Sequence, residues 1–233
     1  AEYWVAEAEK HIRNPFALLG ARGYLGKLTG RPEYMRIAIE RFERTVPAER
    51  IPPAFNLVVG ASWSVLGDFD RAADYFERED SENLSPFNQI GGIDELKLLH
   101  SVVRTYRALG KFDIAEGALD TVGQRIREYE QNNMMHVPEF LETAALHEVM
   151  RGDLDQAHRL LEHAYENGWK NVVWVRNDPI WQSAIDHPGI ASVLERAQAD
   201  RDAMRSRVEE LEESSGFREE IARLYEATDQ FPE

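Results

Sequence analysis

Lys97, His100, Arg104 and Arg107 recur at intervals of three and four residues, so on a helix they share one face. Cations in such a row can hold carboxylates, either an acidic peptide segment or a terminal carboxylate, through charge-assisted hydrogen bonds. The row stands out in a chain whose formal net charge is −15. The competing reading is internal neutralisation by nearby acids such as Asp94 and Glu95.

Other chemistry-bearing residues fall short of a working pattern. His147-Glu148 begins like the helical zinc motif H-E-x-x-H, but Arg151 stands where the second histidine must be. His158 and Glu162-His163 contain one residue too many for the inverted motif, although His158 and Glu162 can face the same way on a helix. Asp68, Asp70 and Asp74 lack the glycine and glutamate of a calcium loop and read as helix-start residues. No phosphate-binding glycine loop is present, and no serine has nucleophile-elbow context. The expectation is therefore no catalytic residue, no metal and no cofactor.

The elements that would position the basic row come from a repeated glycine turn. Gly67-Asp68-Phe69-Asp70-Arg71-Ala72, Gly110-Lys111-Phe112-Asp113-Ile114-Ala115 and Gly152-Asp153-Leu154-Asp155-Gln156-Ala157 share one plan. Phe76, Leu119 and Leu161 stand four residues beyond each alanine. A looser copy has Ala38 and Phe42 after Gly30-Arg31-Pro32. The spacings are 34 residues from Ala38 to Ala72, 43 to Ala115 and 42 to Ala157. Such units are helix pairs that bury their apolar faces only by stacking on one another.

The predicted pairs cover 14–28 with 32–46, 54–66 with 69–78, 94–109 with 112–131, and 138–150 with 154–166. Gly20, Gly23 and Gly26 put a smooth stripe on the first helix, suited to close approach by a neighbour. Residues 79–92 read as the longest loop.

These positions resemble the tetratricopeptide repeat (TPR) family. Gly60, Trp63, Gly67, Ala72 and Phe76 occupy its motif places in order, and Val103, Tyr106, Gly110, Ala115 and Leu119 follow the same plan. Ala145, Glu148, Gly152, Ala157 and Leu161 depart from it by placing an acid where an aromatic belongs. The closing proline is missing after the second to fourth repeats, and the spacings of 43 and 42 residues exceed the family's usual 34. The resemblance implies an all-α, right-handed superhelical stack of about four antiparallel helix pairs, with the first helix of each pair lining a concave groove. Projecting that register, the groove positions include Leu57 and Ala61, then Lys97, His100, Arg104 and Arg107, then Leu146 and Met150, with Ser64, Val65, Glu142 and Val149 beside them.

The C-terminal text differs. Asp178-Pro179-Ile180-Trp181 followed by His187-Pro188-Gly189-Ile190 resembles the end of TPR regions in some bacterial membrane-bound adenylate cyclases and winged-helix regulators. A helix from Pro188 to about Glu213 is expected to cap the last repeat and project, offering a self-association contact. A short amphipathic helix is expected around Phe217, Ile221, Leu224 and Tyr225. The resulting division is 1–13 as an N-terminal cap, 14–167 as repeats and 168–233 as capping and projecting helices.

Composition narrows the partners. The acidic balance disfavours nucleic acid, which needs clustered Lys and Arg. No run approaches the roughly 18 apolar residues of a membrane span. The absence of cysteine excludes disulfides and thiolate sites. The chain begins at Ala1 without a methionine and reads as a processed product or an excised piece, with a signal, anchor or catalytic domain upstream in the second case, so periplasm, cytoplasm and a membrane tether all stay open. The functional expectation is a protein-protein interaction module binding a peptide or protein, acidic in character, in the groove. The alternative is a sensory or regulatory domain of a larger membrane-anchored signalling protein. A homodimer through the C-terminal helices accompanies both.

Overall fold

The computed structural model describes residues 14–78, 92–132, 134–216 and 223. Among the described residues there are ten α-helices, two short 3-10 turns and no strand. The helices are α1 (Pro15–Thr29), α2 (Pro32–Thr45), α3 (Pro53–Val65), α4 (Phe69–Glu77), α5 (Gly92–Ala108), α6 (Phe112–Gln131), α7 (Pro138–Arg151), α8 (Leu154–Glu166), α9 (Val172–Asn177) and α10 (Pro188–Ser215). The expected N-terminal cap and the amphipathic helix after Gly216 lie outside the described residues, as does the predicted long loop apart from Gly92.

Local rules set the helix boundaries. Proline opens α1, α2, α3, α7 and α10, where its missing N–H costs nothing. Asn14, Asp68 and Asp153 cap helix starts by accepting from the amides of Phe16, Arg71 and Gln156. The glycine turns are one recurring device. Gly30, Gly67, Gly110, Gly152 and Gly168 all have φ between 67° and 96°, the left-handed region that glycine enters freely. After each, the next amide reaches back to close the helix: Arg31 to Gly26, Asp68 to Trp63, Lys111 to Tyr106, Asp153 to Glu148 and Trp169 to Ala164, at 2.8–3.1 Å. This is the Schellman closure, which satisfies carbonyls that a helix end otherwise leaves open.

The pairs α1–α2, α3–α4, α5–α6 and α7–α8 pack closely, and neighbouring pairs touch in order, α3 with α5 and α5 with α7. Gly60 shows why the motif positions are small. A Cβ there would lie 2.6 Å from the Phe76 ring and 3.1 Å from the Ala72 carbonyl. The glycine stripe of α1 works at one position only. At Gly26 a Cβ would come 3.1 Å from the Arg31 carbonyl and 3.4 Å from the Met35 amide, whereas Gly20 faces open space.

Glu43 joins the first two pairs, accepting at one oxygen from the Trp63 indole and the Tyr75 hydroxyl, each at 2.9 Å. Burial and that carboxylate push the Tyr75 phenol up to about 12.

Residues beyond Gly168 are not set apart from the repeats. The buried apolar side chains form one cluster from Leu19 to Ala197 that includes Val172, Val175 and Trp181. The chain returns across the first helices: α9 packs on α1, the 3-10 turn Trp181–Ser183 meets α7, and α10 then packs on α8.

Candidate functional site

The basic row lies on α5, and the structure gives its lysine and both arginines an internal partner. Lys97 Nζ is 3.5 Å from Glu142 Oε2 on α7 and 5.5 Å from the centre of the Trp174 ring on α9. Arg104 donates to the Ser64 carbonyl in the last turn of α3 and lies 5.1 Å from the centre of the Phe69 ring. Arg107 donates to the Met150 carbonyl in the last turn of α7 at 2.6 Å, and to Glu116 at 2.8 Å. Helix ends leave carbonyls unbonded and carry partial negative charge, so an arginine is well suited there. The row thus ties α5 to both of its neighbours.

Internal neutralisation is present, but through residues distant in sequence. Glu142 and Glu116 take the roles expected of Asp94 and Glu95, and Glu95 pairs instead with Arg125 at 3.4 Å. Burial raises the Glu142 carboxyl against the opposing pull of Lys97, and burial lowers Arg104, with Asp178 opposing.

His100 is fully buried, with neither ring nitrogen hydrogen-bonded. Burial, with His147 and Lys97 nearby, lowers it to about 3, so it is neutral. Leu57 and Leu146 are core residues, and like His100 they have no surface to offer a partner. Ala61 and Met150 are half-buried.

Of the positions projected to line a groove, Val65, Lys97, Arg104, Glu142 and Leu146 instead surround a cavity of about 30 Å³, together with Trp174 and Asp178. That is room for a water molecule, far too little for a peptide. The returning segment supplies Trp174, Asp178 and Ile180 to its wall. Sequence reasoning missed this cover, although Trp174 and Trp181 in a polar neighbourhood were a signal for it.

A second depression, of about 610 Å³, opens beside the far end of the row. Arg107, Arg127, Arg151 and His147 line it together with Glu116, Asp120 and Gly123. Arg107 is held by Glu116, and Arg151 is 3.5 Å from Glu148. Arg127 is exposed and makes no ion pair among the described residues. The His147 ring is buried by α6 at Gly123, where a Cβ would come 3.2 Å from Nε2. Its Nδ1 is buried without a partner, and burial, followed by Arg151 and Arg127, lowers it to about 4. The guanidinium groups of Arg107, Arg127 and Arg151 supply the hydrogen-bond donors that a carboxylate would meet in this depression.

His158 and Glu162, which share a helix face as expected, are 3.8 Å apart, and Glu162 also pairs with Arg196. Among the described residues no three His, Asp or Glu side chains converge as metal ligands, and no helix is long and apolar enough to cross a membrane. In comparisons with protein-family models, characterised proteins and solved structures, nothing matches this chain.

Proposed function

We propose that the chain is a non-catalytic, TPR-like interaction module that takes an acidic segment of a partner protein in the Arg107–Arg127–Arg151 depression. The observation that carries this reading is Arg127, an exposed guanidinium without an ion pair among the described residues, lining the depression with two further arginines in a strongly acidic chain. Arginine forks bind carboxylates in a bidentate manner, and the depression is large enough for two or three side chains. Glu116 and Asp120 on its rim restrict the ligand, since they repel carboxylates placed on their side.

The superhelical stack read from the TPR-like positions supplies the frame. Its first-helix face is filled by the chain's own return segment, which is why the partner surface is placed beside the basic row and not on it. A second copy of the chain is a further partner of the same module, through the projecting end of α10.

The test titrates a fluorescein-labelled glutamate-rich peptide and follows its anisotropy at low salt. Saturable binding that weakens about tenfold or more in the Arg127→Ala, Arg151→Ala double variant supports the reading. Identical titrations of the two proteins would remove it.

A further inference from the structure

The three arginines that line the depression are not equally free to meet a partner. Arg127 is exposed and has no ion pair among the described residues. Arg151 stands 3.5 Å from Glu148 Oε1, longer than a charge-assisted hydrogen bond. Arg107 is engaged at all three nitrogens. Its Nε and Nη2 donate to Glu116 Oε1 at 3.2 and 2.8 Å, and its Nη1 donates to the Met150 carbonyl at 2.6 Å. The Nε–Nη2 edge is one that a guanidinium presents to carboxylates. Glu116 therefore stands where a partner's carboxylate would dock.

The two sides of that contact differ in what holds them. Arg107 lies in the last turn of α5 and is anchored on α7 by the Met150 carbonyl, so it stays in place when Glu116 leaves. Glu116, near the start of α6, is 56% exposed and has no other ion pair among the described residues. An exposed pair of this kind contributes little, and its carboxylate is hydrated again on swinging outward. Asp120, one turn further along α6, is exposed on the same depression and pairs with none of the arginines. It repels an incoming carboxylate without occupying a donor.

We infer that the Nε–Nη2 edge of Arg107 is a carboxylate subsite of the depression, held by Glu116 in the free protein and taken over by an acidic side chain of the partner. Glu116 is then an internal competitor that sets the affinity, beyond the repulsion it shares with Asp120. The inference rests on the reading of the depression as the partner site.

The test uses the full chain and the labelled glutamate-rich peptide at low salt. Glu116→Ala is expected to tighten binding about three- to fivefold, and Asp120→Ala, which removes the same charge, by less than about twofold. A double-mutant cycle separates competition from charge. The loss caused by Arg107→Ala should be about threefold or more larger in the Glu116→Ala background than in the native one, because only there is the edge vacant beforehand. Where Arg107→Ala does not fold, Arg107→Lys, which keeps the charge but lacks the fork, takes its place in the cycle. An Arg107 effect that is the same in both backgrounds overturns the subsite. It leaves the depression as the partner site if the Arg127→Ala, Arg151→Ala variant still binds more weakly. No saturable binding by either the native chain or Glu116→Ala overturns both.

Discussion

Lys97 Nζ lies 3.5 Å from Glu142 Oε2, and the glutamate is 2% exposed while the lysine is 27% exposed. The two ends of this contact are therefore unequal. Losing Lys97 strands a buried carboxylate, whereas losing the charge of Glu142 leaves a lysine that can turn to water.

Lys97→Met is accordingly expected to destabilise by about 2–4 kcal/mol, and Glu142→Gln by less than about 1 kcal/mol. Urea unfolding of the two variants compares them directly. Equal losses would show that the pair, and not the burial of the carboxylate, controls stability at this position.

His100 and His147 face each other with ring centres 6.0 Å apart, and both are held neutral by burial, at about 3 and about 4. The charged groups around them are Lys97, Arg127, Arg151 and Asp120. Both folded values lie below the ordinary histidine value of about 6.5. The stabilisation is then complete above pH 6.5 and is lost as pH falls toward the folded values, at up to about 1.4 kcal/mol per pH unit for each histidine. The raised Glu142 carboxyl works in the opposite direction, so the comparison is made by difference. His100→Leu should reduce the pH slope of stability between about pH 5 and 6 by nearly one proton. It should also match or exceed the native protein near pH 7, because an unpartnered buried ring is replaced by an apolar one. Parallel pH profiles would contradict this.

The glycines divide into three expected behaviours. Gly152→Ala forces alanine to φ 82° with open space around it, a loss of about 1–2 kcal/mol. Gly60→Ala meets Phe76 and the Ala72 carbonyl and should lose more. Gly117→Ala, exposed within α6 with nothing near its Cβ, should gain about 0.5–1 kcal/mol. Thermal melts rank the three, and a stable Gly60→Ala would mean that α3 and α4 can separate without loss.

The helix pairs were legible because their determinants are local. The glycine after each first helix, the prolines and aspartates at helix starts, and the alanine of each second helix act within a few residues of themselves. The predicted limits of α6 and α8 coincide with the observed ones for that reason. The basic row was also legible as one helix face. Its role was not, since the groups that answer it are the Ser64 and Met150 carbonyls and Glu142, which only tertiary packing brings to α5. The return of α9 across α1 was invisible for the same reason. A register projection says which face a helix presents, but not what lies on that face.

The return segment behaves as core and not as a displaceable ligand. Trp181 is fully buried, as are Val172 and Val175. Trp181→Ala is expected to lose about 3–5 kcal/mol, with Trp181→Phe intermediate. Hydrogen exchange should then show lowered protection in α7 and α1 as well as in α9. Loss confined to 172–183 would mark the segment as an independent flap.

The most direct test of the account sets Arg127 against Arg104, the one read as a partner contact and the other as an internal brace. Affinity for the glutamate-rich peptide and urea stability are measured for Arg127→Ala and Arg104→Ala. The account predicts that Arg127→Ala binds about three- to tenfold more weakly with unchanged stability, and that Arg104→Ala loses about 1–3 kcal/mol of stability while the folded protein binds as before. A peptide that responds to Arg104 and ignores Arg127 would contradict it, and would return the partner to the face that the chain's own segment covers.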